Sequence, residues 1–92
     1  MKIEIRKFGI LLISRPEGRD AALATKAYSQ PLSLNEIIEL DFSDVDVLTP
    51  SWLDEFVQNL KREFPSNKIK YLPCHNPSVI ESIKVLEDEW SG

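Results

Sequence analysis

The chain has 92 residues, 42% apolar and 28% charged, a balance that excludes a disordered tract and leaves room for one modest core. Its net charge of −4 argues against nucleic acid and anionic membrane as partners, since both need a basic face. No apolar run nears the ~20 residues that span a bilayer, and MKIEIRKFG has no signal-peptide core.

The single cysteine allows no internal disulfide and points to a reducing, cytoplasmic address. One domain over residues 1–92 is the expectation for this length. Lys2–Arg6 alternates charge and hydrophobe, the period of a half-exposed edge strand. Phe8-Gly9 breaks it, and the continuous run Ile10–Ile13 suits a strand covered on both faces. Ser14, Pro16 and Glu17 together open a helix, as cap, first-turn proline and capping-box acid. That helix reads on through Tyr28, with Leu23, Ala24, Ala27 and Tyr28 as its inward stripe. Small alanines imply a close approach to the sheet.

Gln30–Asn35 is a turn-rich connector, and Glu36–Phe42 is a strand that ends in acids. A second helix is expected over about 49–64, because Leu53, Phe56, Val57, Leu60 and Phe64 repeat as one buried face. Thr49 with Pro50 after it, or Ser51 with Asp54 three residues on, are both competent helix starts. Lys68–Leu72 is a short last strand, and Asn76-Pro77 opens a third helix with Ile80, Ile83, Leu86 and Trp90 inward. The order β-β-α-β-α-β-α predicts a two-layer α/β fold, with about four strands in a mixed sheet and three helices mainly on one face.

The chain lacks the pieces of an active site. One Cys and one His fall short of a zinc ligand set, and Cys74-His75 reads as loop. Asp41, Asp44 and Asp46 lie where open α/β sheets place ligands, but no Gly-rich loop accompanies them and solvated turn acids are the simpler reading. No nucleophile–base pair or cofactor loop is present, so neither an enzyme, a metal nor a cofactor is expected. Arg15 and Arg19 sit at a helix start, the wrong end of the dipole for cations, which predicts pairing with Glu17, Asp20 or acids at a strand end.

The segment IIELDFSDVDVLTPSWLDEF resembles the central motif of STAS-type domains, the fold of bacterial anti-sigma-factor antagonists. The closer resemblance is to the STAS-like family of unknown function. Its motifs match here as Phe8-Gly9, Ser14-Arg15 with Ala21 and Ala22, Asp41-Phe42, and Ser51-Trp52-Leu53-Asp54-Glu55. The resemblance implies a non-catalytic regulatory or adaptor domain. It would act by protein–protein contact on a histidine-kinase-like ATPase partner, which phosphorylation of a serine at the second helix start releases. Ser51 falls on that serine, Thr49 on the aspartate before it and Trp52 on the glycine after it, so two of three positions depart from the phosphorylated members. Asp44, Asp46, Ser51, Trp52, Asp54 and Glu55 are thus the expected partner-facing residues, with Trp52 as an exposed aromatic anchor and the acids as a collar for Lys or Arg. The same acids would repel phosphate from the helix end; the alternative reading is a small-ligand or nucleotide sensor that uses the same strand–helix junction.

Overall fold

The computed structural model describes residues 1–29, 31 and 33–91, with the side chains of Trp90 and Ser91 outside the description. The expected inward turn of Trp90, and the Gln30 and Leu32 positions of the connector, therefore fall outside the described residues. In chain order the elements are β1 (Lys2–Glu4), a 3-10 turn (Ile5–Phe8), β2 (Leu11–Leu12), α1 (Arg15–Tyr28) and β3 (Ile38–Asp41). They continue as β4 (Val47–Leu48), α2 (Pro50–Glu63), β5 (Ile69–Tyr71) and α3 (Pro77–Ser91).

The strands form two parallel sheets, β1-β3-β5 and β2-β4, instead of one mixed sheet of four. The chain passes from main sheet to small sheet to helix, does so a second time, and closes with β5 and α3. Two successive strands therefore never pair with each other; each meets its counterpart from the next pass, which makes every ladder parallel. In the main sheet β3 is central, with Ile3 beside Leu40 and Leu40 beside Tyr71. Ile38 and Leu40 are buried while Glu39 and Asp41 are half-buried, so alternation sets the register. β1 is an edge strand, as its charge alternation predicts, but it stops at Glu4.

Two apolar faces differ from expectation. In the Ile10–Ile13 run only Leu12 is buried; Ile10, Leu11 and Ile13 are exposed. A two-stranded sheet covered on one side leaves the other face open. In α1, Leu23, Ala27 and Tyr28 point outward, Tyr28 at 89% exposure, and the buried stripe is Gly18, Ala21, Ala22 and Thr25. Close packing is the reason: a Cβ on Gly18 would lie 2.4 Å from the Trp52 carbonyl oxygen of α2. Small side chains let the helix backbones meet, and the larger residues are left to solvent. The close approach expected of the alanines is therefore to a helix.

α2 presents Trp52, Leu53, Phe56, Val57 and Leu60 to the core, and Phe64 packs against it half-buried. α3 packs on α2 and β4 through Val79, Ser82 and Leu86, whereas Ile80 is exposed and Ile83 is half-buried. Polar side chains of α3 and the preceding loop close the outer edge of β4. The Leu48 N–H donates to Ser78 Oγ at 3.1 Å, and Ser82 Oγ donates to the Leu48 carbonyl at 2.9 Å. Asn76 Nδ2 donates to the carbonyls of Val45 at 2.7 Å and Asp46 at 2.9 Å.

Candidate functional site

The start of α2 is built by Thr49. Its backbone is extended, its Oγ1 accepts from the Trp52 N–H at 3.3 Å, and Pro50 occupies the first helical position. The same hydroxyl lies 2.8 Å from the Ile13 carbonyl, to which it donates, and the Thr49 N–H donates to the Leu12 carbonyl at 3.0 Å. One threonine thereby caps the helix and fastens it to the end of β2. Of the two helix starts open in the sequence, Thr49 is the one used.

Ser51 is left as the second residue of α2, half-buried. No hydrogen bond of its hydroxyl occurs among the described residues. Asp54 and Glu55 follow one turn on, where both carboxylates meet Arg15 of α1. Arg15 Nη1 lies 2.9 Å from Asp54 Oδ2 and 3.4 Å from Glu55 Oε2. The hydrogen bond that Arg15 donates to Asp54 is the main cause that holds its guanidinium above its ordinary pKa. Arg15 therefore balances part of the acidic collar, and the helix dipole alone does not account for it. The legible signal was a cation at the dipole-unfavourable end of α1, whose partner proves to be the neighbouring helix.

Trp52 is not an exposed anchor. It is 1% exposed, stacked on Phe56 with ring centroids 5.0 Å apart, and within 6.4 Å of the Phe8 ring. Helix periodicity explains the burial: Trp52 precedes Phe56 by one turn on the core stripe. The sequence carries that spacing; the acidic neighbours of Trp52 are the feature that points to an interface instead.

The remaining acids are dispersed. Asp44 pairs with Arg6 at 2.8 Å and adopts a left-handed backbone, φ 66°, in the turn after β3. Asp46 is exposed, its N–H donating to the Ile10 carbonyl at 2.9 Å. Asp41 turns back on its own loop, its Oδ1 accepting from the Ser43 N–H at 2.9 Å and the Ser43 hydroxyl at 2.7 Å. These bonds to Ser43, with a smaller contribution from Lys2, hold the Asp41 carboxyl below its ordinary range. The three aspartates thus do not converge on one site, and no group of metal-ligating side chains occurs among the described residues.

The structure therefore brings Ser51, Asp54, Glu55 and Arg15 to the start of α2, turns Trp52 inward, and pairs Asp44 elsewhere. A groove of about 430 Å³ lies between the 3-10 turn and the end of α1, lined by Lys7, Phe8, Ala24, Thr25, Tyr28 and Ser29. It contains none of the junction residues. No helix among the described residues is long and apolar enough to cross a membrane.

Comparison with known proteins bears on the same segment. No curated protein and no solved structure matches the chain. A family model described as a STAS-like domain of unknown function (DUF4325) matches residues 24–79, a span that holds β3, β4, the Thr49 cap and all of α2. On that match, the chain belongs to the STAS-like domain family of unknown function.

Proposed function

We propose that this domain is a non-catalytic regulator or adaptor that works in the cytoplasm by docking a protein partner at the start of α2. The partner class that fits the STAS resemblance is a histidine-kinase-like ATPase. The observation that carries the reading is the division of labour at the helix start. Thr49 performs the capping, so Ser51 stands beside the Asp54–Arg15–Glu55 cluster with no structural duty identified for its hydroxyl. A side chain without such a duty is available to a partner or a kinase. Asp54, Glu55 and the more distant Asp44 and Asp46 supply negative charge that steers a Lys- or Arg-bearing surface. Trp52 contributes from beneath, by fixing the helix, and does not contact the partner.

Co-purification of a partner with the parent, followed by binding of variants, tests this reading. Ser51→Asp places a carboxylate in the first turn, where the dipole favours it, so the melt should hold while affinity for the partner changes. Asp54→Lys with Glu55→Lys should slow association, more so at low salt where screening is weakest. Unchanged affinity in both, with normal melts, would remove this surface from consideration.

A further inference from the structure

The main sheet ends at β5 with an open edge. The Lys68 carbonyl accepts from the Ile38 N–H at 2.8 Å, and the Leu72 N–H donates to the Leu40 carbonyl at 3.0 Å. Alternate residues of a strand bond to the same neighbour, so Lys68, Lys70 and Leu72 turn their backbone groups to β3. The N–H and C=O groups of Ile69 and Tyr71 therefore point the other way, where no further strand pairs among the described residues.

A groove of about 350 Å³ lies beside this edge, because α3 packs on α2 and β4 more than on β5. Tyr71, Pro73, Ile80 and Ile83 line it, together with Lys84 and Glu87. Ile69 and Tyr71 are half-buried, although their register partners Ile38 and Leu40 are fully buried, and Ile80 is 50% exposed. A strand laid along β5 would cover apolar side chains that α3 leaves open.

The opposite face of the sheet decides what that strand carries. Register sets Lys2, Glu39 and Lys70 in one row, on the side away from the core, where Lys2 also reaches Asp41 at 3.3 Å. Charge alternates along the row, and the next place, beside Lys70, suits a carboxylate. Lys68 stands on the same face, exposed like Lys70, and neither is in an ion pair among the described residues. The charges that line the groove, Lys84 and Glu87, oppose each other, so selection falls to Lys68 and Lys70. A second copy fits poorly. Two β5 edges paired antiparallel about Ile69 or Lys70 set lysine beside lysine, and β1 added in the sheet's own register sets Lys2 beside Lys70.

We propose that β5 receives, as an added strand, an extended segment of a protein partner that alternates apolar with acidic residues. Its backbone bonds to Ile69 and Tyr71, its apolar side chains enter the groove against α3, and its carboxylates stand beside Lys68 and Lys70. This rests on the reading of the domain as a protein-binding module, and it adds a contact built from residues other than those at the start of α2.

The test uses the full chain, labelled for NMR, with a short peptide alternating Val with Glu and a counterpart carrying Lys for every Glu. The Glu peptide should perturb the amides of Ile69 and Tyr71 and slow their hydrogen exchange. Combining Lys68→Ser and Lys70→Ser, both exposed, should weaken it about tenfold with the melt preserved. Lys68→Glu with Lys70→Glu should turn preference toward the Lys peptide. Ile80→Ser should weaken the Glu peptide without changing which peptide is preferred, since it alters only the apolar side. Equal binding of the two peptides to the parent, or no binding of either, overturns the inference. So does a perturbation confined to Ser51–Glu55, which would leave the α2 reading standing. Dimerisation of the chain alone that protects the Ile69 and Tyr71 amides also overturns it, in favour of a second copy. Failure of the α2 reading shows separately, in the partner's indifference to Ser51→Asp and to the Asp54, Glu55 double change.

Discussion

At Gly18 the backbones of α1 and α2 come too near for a Cβ to enter without a shift. A Cβ at this position would lie 2.4 Å from the Trp52 oxygen and 3.1 Å from its carbonyl carbon, both backbone atoms that cannot rotate aside. Alanine is the better helix former by ~1 kcal/mol, but overpacking of this kind costs ~1–3 kcal/mol. Gly18→Ala should therefore lower stability and displace α1 from α2. A thermal melt with Trp52 fluorescence checks it, and an unchanged melt would mean the helices stand further apart. Asp44 tests a different residue-level cause. Its φ of 66° is tolerated by Asp and Asn but strained for most L-residues, whereas its ion pair with Arg6 is exposed and worth little. Asp44→Asn should be nearly neutral and Asp44→Val should cost ~1–2 kcal/mol, as denaturant titration would read. Equal losses in the two would assign the energy to the ion pair instead.

At the scale of elements, the Thr49 cap joins secondary structure to tertiary structure. Its hydroxyl serves the α2 N-terminus and the end of β2 together. Thr49→Ala should lose more than a solvent-exposed cap does, at the upper end of the ~0.5–2 kcal/mol range, because the Ile13 carbonyl just after β2 loses its donor as well. Thr49→Ser keeps the hydroxyl and should restore most of the loss. Equal damage from both would indicate that the methyl group, not the hydrogen bonds, matters. α1 shows why an element that is easy to locate can still be misoriented. Its boundaries follow from Ser14, whose Oγ accepts from the Glu17 N–H, and from Pro16. Its buried face does not, because Gly18, Ala21, Ala22 and Thr25 carry little hydrophobic signal next to Leu23 and Tyr28. β4 escaped notice for a simpler reason. A strand of two residues, Val47–Leu48, is too short to display a period.

The whole molecule is held by a cluster that includes Ile3 and Leu40 from the main sheet, Leu12 and Leu48 from the small one, and residues of all three helices. Burial in this fold reaches Tyr71 of β5, whose phenol is pushed up to about 12 by burial first and by Glu87 second. An unfolded tyrosine ionises near ~10, so the neutral phenol stabilises the folded state below that pH. The contribution is lost as pH rises from there toward the folded value, and it amounts to on the order of 2 kcal/mol. Tyr71→Phe should flatten this alkaline loss relative to the parent in melts taken across that window. An identical alkaline slope in parent and variant would show that the half-buried Tyr71 phenol is not desolvated as described.

Local chemistry along the chain was enough to determine the starts of α1 and α3, the aromatic and aliphatic stripe of α2, a strand ending in acids, and the family resemblance now matched over residues 24–79; the start of α2 stayed open between Thr49 and Ser51. Each of these depends on neighbours a few residues apart, through capping bonds or a helical period. Only the tertiary structure decided that the strands divide into two parallel sheets, since that depends on which distant strands meet. It also decided that Arg15 pairs with Asp54 and Glu55 across a helix pair, some 40 residues apart in sequence. It also brought the Phe8 ring within 6.4 Å of Trp52, whose own ring stacks on Phe56. Phe8 and Trp52 are far apart in sequence and meet only when the 3-10 turn folds against α2, so no local spacing announces their contact.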